Sequence, residues 1–180
     1  MNDSDLRTWI QGWAREYPAG DDNVLAPLTG VHELTRDQLA IIVDWKMEPH
    51  RRAGTLKSLD KESDERIATL SQRAFACSDD LGALLILQQL TGIGPALASA
   101  ILMAQNPTRY TVMDVWAVAA LRWLGELPEG ASAGSFVWLA YLQACRQISE
   151  RTGESLRVVD RALYKGRGKP IPGLATGVPA

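Results

Sequence analysis

Residues 87–124 of this 180-residue chain read LQQLTGIGPALASAILMAQNPTRYTVMDVWAVAALRWL, and the fold is decided there. An apolar helix over 81–90 runs into Leu90-Thr91-Gly92-Ile93-Gly94-Pro95, and a second helix continues through Ala98, Ser99, Ile101 and Leu102. Two glycines around one aliphatic residue let the backbone turn tightly with no Cβ in the way, and Pro95 suits the first helical turn because its missing N–H costs nothing there. The N-terminus of the second helix then offers unpaired N–H groups to an anion such as a phosphate.

Downstream, Asn106-Pro107-Thr108-Arg109-Tyr110 reads as a turn, and Asp114 opens a helix over 115–124. An Asp at a helix start is stabilised as the anion by the N–H groups and the dipole. Two roles follow for Asp114. It can be an ordinary N-cap, or it can be a carboxylate with a chemical role.

The pattern Leu90-x-Gly92-Ile93-Gly94-x-x-x-Ala98 resembles the helix-hairpin-helix motif, and with Asp114 some twenty residues on it resembles the helix-hairpin-helix superfamily of DNA glycosylases. The motif covers about a quarter of the chain. The resemblance implies double-stranded DNA as partner, gripped at its phosphate backbone by Gly92, Ile93, Gly94 and Ala96. It also implies a monovalent cation at the hairpin carbonyls and Asp114 as the catalytic residue of base excision. Two departures matter. Met113-Asp114-Val115-Trp116 has no His after the Asp, and Ala96 stands where bifunctional members carry the Schiff-base Lys. Ala has no nucleophile, so the expected enzyme is a monofunctional DNA N-glycosylase without β-lyase activity. The alternative is a non-catalytic helix-hairpin-helix DNA-binding module. A flipped base needs a stacking partner, for which Trp45, Trp116 and Trp123 are candidates, with Trp123 the one most expected in the core.

Outside this stretch, apolar spacing and caps predict helices over 2–17, 35–47, 63–76, 135–151 and 154–164, with a Pro- and Gly-rich loop from 18 to 33 that contains a solvated His32. In the helix over 135–151, Phe136, Trp138, Leu139, Tyr141, Leu142 and Cys145 are expected mostly inward. Trp45-Lys46, followed by His50-Arg51-Arg52, forms a basic-aromatic cluster. It reads either as cations suited to the C-terminal dipole of the helix ending near Met47 or as a substrate contact made by Trp45, Lys46, Arg51 and Arg52. Lys165, Arg167 and Lys169 read as a disordered basic tail over 165–180.

No alternating apolar run is long enough for a sheet, so the expected class is all-α: a two-lobed helical bundle in one glycosylase-like domain over 1–180. The hairpin should span 81–105, with lobes near 30–125 and 1–20 with 135–164, sharing a cleft. A net charge of -2 argues against strong non-specific DNA affinity but permits a grip through backbone amides, which needs no lysines. Cys77 and Cys145 are the only cysteines and lack partners at ligand spacing, so zinc and iron–sulfur clusters are not expected, nor any other cofactor. No apolar run approaches the ~20 residues that span a bilayer. The expected location is cytoplasmic, with nucleoid association in a bacterium.

Overall fold

Six helices begin on residues whose side chains take up a backbone N–H that the helix itself leaves open. Asn2, Thr35, Ser63, Asp79, Asp114 and Ser155 all stand in extended backbone and accept from an N–H two or three residues ahead. Thr35 completes a capping box, with Gln38 N–H donating to Thr35 Oγ1 at 3.2 Å and Thr35 N–H donating to Gln38 Oε1 at 2.9 Å.

The computed structural model describes residues 1–170, and among these the chain is all-α, without a strand. The helices are α1 (Asp3–Arg15), α2 (Arg36–Lys46), α3 (Pro49–Leu59), α4 (Asp64–Ala76), α5 (Asp80–Leu87), α6 (Pro95–Gln105), α7 (Val115–Trp123), α8 (Trp138–Thr152) and α9 (Leu156–Gly166). No helix among the described residues is long and apolar enough to cross a membrane.

The described residues divide into two compact units: 1–19 with 113–170, and 20–112. The unit that holds the hairpin thus spans 20–112 rather than the expected 30–125, and α7 lies outside it because it packs on α8 and α9. In the unit over 20–112 the centre is α6. Every residue from Leu97 to Ala104 is buried, and α2 and α5 pack against this helix. The segment 81–90 is also apolar nearly all the way round, yet Leu85 of α5 is 46% exposed. Ala98, Ser99, Ala100 and Ala104 explain the difference, since small side chains let neighbours close around α6. Arg109 fastens the turn after α6 to the start of α5, donating through Nε to Asp80 Oδ1 at 2.9 Å and through Nη2 to Ser78 O at 2.6 Å.

Two elements in this unit depart from the expected loops. Asp21–Leu28 is a 3-10 helix that buries Leu25 and Leu28 against α2 and α6. Pro49 opens α3 at its first turn, where a proline fits. Only Thr55 and Leu59 of α3 are buried, so its apolar periodicity was too sparse to signal a helix.

In the other unit the main packing is α1 on α9, with α8 against both. Leu6, Trp9 and Ile10 of α1 are buried, as are Leu156, Val159, Ala162 and Leu163 of α9. In α8, Trp138, Tyr141, Leu142 and Cys145 point inward, but Phe136 is 81% and Leu139 48% exposed. Residues 135–137 form a separate 3-10 turn, which breaks the helical spacing that would have turned Phe136 inward. Trp123 is half-buried rather than a core residue and lies 5.8 Å from the Trp9 ring.

The start of the supposed basic tail is ordered. Lys165 belongs to α9, Arg167 caps it in the left-handed region (φ 48°), and the Lys169 carbonyl accepts from Trp9 Nε1 at 2.8 Å and Trp13 Nε1 at 3.3 Å. Burying an indole N–H requires such an acceptor, and that requirement holds the segment in place. The remainder, 171–180, lies outside the described residues.

Gly166 lets α9 approach α1, since a Cβ there would fall on the six-membered ring of Trp9 and 3.0 Å from Trp13 Cδ1. Trp9 is 3% exposed and hydrogen-bonded, so it has little room to yield. Gly166→Ala should therefore destabilise the protein by about 1–3 kcal/mol in urea unfolding, a typical cost of overpacking.

Candidate nucleic-acid interface

The hairpin is a short exposed turn hung between buried anchors. Leu90 and Ile93 are 2% and 4% exposed, and Ile93 N–H donates to Leu90 O at 3.1 Å. Gly92, between them, has φ +87°, where a side chain is strained, and a Cβ there would stand 2.9 Å from Ser58 Cβ in the last turn of α3. Gly94 is exposed with φ −87°, and a Cβ on it would meet nothing within 4 Å. The two glycines therefore have different reasons. Gly92 is required by the fold, while at Gly94 the fold would admit a methyl group.

Among the described residues, the N–H groups of Gly92, Gly94 and Ala96 have no acceptor in the backbone or in a side chain. The α6 ladder begins only with Ala98 N–H to Gly94 O at 2.9 Å. These donors and the positive end of an eleven-residue helix can take up an anion. Ala96 is half-buried, and its methyl offers no nucleophile. The carbonyls of Leu90 and Gly94 each accept one N–H and keep a second lone pair, which is the capacity a monovalent cation would use.

A residue not expected from the sequence presets this turn. Glu62 Oε1 accepts from Thr91 N at 2.8 Å and from Thr91 Oγ1 at 2.5 Å, while its Oε2 lies 2.8 Å from Arg66 Nε. The Glu62 side chain is 7% exposed. The Thr91 hydroxyl first, then the Thr91 N–H and the Arg66 guanidinium, hold its carboxyl below the usual carboxylate value. Arg66 also donates to Gln89 O at 3.1 Å, so both sides of the α5 end are tied to the start of α4. Glu62 stands 29 residues before Thr91, ahead of the Ser63 cap, where a Glu reads as solvated.

Of the basic-aromatic cluster, Trp45 is half-buried and donates from Nε1 to Asp21 Oδ2 at 3.0 Å. Lys46 ends α2 and is half-buried. His50, Arg51 and Arg52 occupy the first turn of α3, not the end of α2. The helix-dipole reason for Arg51 and Arg52 therefore fails, since they sit at a positive helix end. Arg52 turns back to α2, donating through Nε to Met47 O at 2.9 Å with Asp44 at 3.8 Å, whereas Arg51 is exposed.

In the other unit Asp114 N-caps α7. Its Oδ1 accepts from Trp116 N at 2.9 Å and Ala117 N at 2.8 Å, and the residue is half-buried. Trp116, two residues on, is 44% exposed, with the Arg167 guanidinium 4.3 Å over its ring. Among the described residues no three of His, Cys, Asp and Glu come together as a group that could hold a metal ion. Cys77 is half-buried and Cys145 is buried.

No protein-family model, curated protein or solved structure matches this chain.

Because the folded state lowers the Glu62 carboxyl, its stabilising effect is complete above the unfolded value near 4.5 and is lost as pH falls through the lower folded value. Glu62→Gln should cost about 1–3 kcal/mol at pH 7, the usual worth of hydrogen bonds to a charged group. In thermal melts across pH 3–7 the variant should also lose part of the wild-type acid sensitivity.

Proposed function

We propose that the chain is a DNA-binding protein that holds the phosphate backbone of duplex DNA through its hairpin. We further propose that Asp114 serves the hydrolysis of an N-glycosidic bond, as in the monofunctional glycosylases the sequence resembles. The observation that carries the binding reading is the exposed turn at Gly92–Ala96, where three N–H groups lack acceptors and the approach to Gly94 is open. Backbone amides contact phosphate without regard to base sequence, and a chain of net charge -2 can use them.

In the chemical part, the bond from C1′ to the base nitrogen breaks as positive charge develops on the sugar. Water adds its oxygen to C1′, and its proton goes to the departing base. An ionised carboxylate beside C1′ steadies the charge and orients the water. Asp114 Oδ1 accepts from two N–H groups at the start of α7, which fixes where the carboxyl stands. Trp116, 44% exposed, carries the kind of ring on which a base taken out of the stack can lie. Lysine-type lyase chemistry has no carrier at Ala96.

The second reading, a non-catalytic DNA-binding module, is favoured by one observation: Asp114 Oδ1 is already engaged by both cap N–H groups. Asn caps a helix about as well as Asp, so Asp114→Asn keeps the fold and removes only the charge. Duplexes carrying alkylated, oxidised or deaminated bases, treated with protein and then alkali, should be cleaved by the wild type. Asp114→Asn should be slower by on the order of 100-fold, in keeping with the loss of one charge-stabilising group. Absence of cleavage on every lesion would leave the binding module. Separately, Gly94→Ala should fold normally yet bind duplex about tenfold more weakly, a loss near 1.4 kcal/mol, because its methyl stands where the phosphate approaches. Unchanged affinity in that variant would remove the hairpin reading.

A further inference from the structure

Along α9, Arg157, Arg161 and Lys165 recur at every fourth residue, each about 6 Å further along the axis. All three lie over one ring, with Arg157 Cζ, Arg161 Cζ and Lys165 Nζ at 5.1, 5.3 and 5.9 Å from the centre of Tyr17. Tyr17 meets Tyr164 edge-on at 6.2 Å. Arg167 then lies 5.7 Å from the Tyr164 ring and 4.3 Å over Trp116. The series of cations and rings thus runs without a break from the end of α1 to the first turn of α7, where Asp114 is the cap. From Ser155 to the C-terminus there are five cations and one carboxylate, Asp160, a net of +4 in a chain whose total is -2. That carboxylate is 2% exposed and paired with Arg157.

We propose that this face is a second contact for the DNA backbone, separate from the hairpin, with Lys165 and Arg167 neutralising phosphates and Trp116 presenting its ring to a base. The proposal rests on the DNA-binding reading and adds side chains to it. Cations strung along a helix suit an extended polyanion better than one compact anion, and a guanidinium lying on an indole suits both backbone and base. Arg167 holds the left-handed region with φ 48°, which Gly or Asn adopts more readily, so its side chain and not its backbone fits this place.

The test is the salt dependence of duplex binding by wild type, Gly94→Ala and the double variant Lys165→Gln/Arg167→Asn, in which Asn keeps the backbone shape. The proposal expects the slope of log Kobs against log salt to become shallower by about 1.8 in the double variant, for two phosphates lost. Arg73→Gln, the loss of an exposed cation on α4, should leave the slope near that of the wild type. If the double variant unfolds, Lys165→Gln alone carries the test with a change of about 0.9. Should wild type bind duplex and Gly94→Ala weaken it while the double variant keeps the full slope, the α9 contact is overturned and the hairpin reading stands. Should wild type bind no duplex, both are overturned. A double variant that loses binding to phosphatidylserine vesicles but not to duplex marks a membrane face, and that result also overturns the proposal.

Discussion

A helix apolar on every side can exist in water only if other helices wrap it, and α6 imposes that condition on the unit over 20–112. With all residues from Leu97 to Ala104 buried, α2, α5 and the 3-10 segment at Asp21–Leu28 are its cover. Only its ends are left to meet solvent. The N-terminal end carries the exposed hairpin, so the donors of Gly94 and Ala96 are turned outward by the same packing that buries the rest of the helix. Glu62 completes the arrangement. A carboxylate bonded to both the N–H and hydroxyl of Thr91 fixes the turn one residue before Gly92, whose φ would strain any side chain.

Asp114 illustrates how one geometry can satisfy two explanations. Two cap hydrogen bonds to a single oxygen are sufficient reason for an Asp before an apolar helix, and the same bonds fix the carboxyl that the proposed chemistry would use. Only removal of the charge with the cap retained separates the two roles. The hairpin is different, because the fold has no need of glycine at position 94, where the neighbouring space is open.

The fold was legible in the sequence where local rules act. The caps at Asn2, Thr35, Ser63, Asp79 and Asp114 and the turn at Gly92–Pro95 all stand where residue type placed them. What escaped depends on long-range partners or sparse patterns. Helix α3 buries only two residues, so its face left no apolar period to read. Phe136 belongs to a 3-10 turn rather than the helix that follows, and one change of period sends it to solvent. Glu62 at the hairpin and Arg167 on Trp116 act across 29 and 51 residues, separations at which no spacing rule operates. The start of the supposed tail is held by two indoles near the opposite end of the chain.

The split of the first unit between the two ends of the chain bears on how the protein is made. When α1 leaves the ribosome, Leu6, Trp9 and Ile10 have no partner, because α9 and the Lys169 carbonyl are the last described parts to be synthesised. Residues 20–112 are continuous and can close around α6 during synthesis, whereas α1 must wait with its apolar face uncovered. A chain cut short before Leu156 would leave uncovered the part of that face that α9 buries, so an interrupted product of this protein would be a substrate for chaperones and proteases rather than a smaller working version.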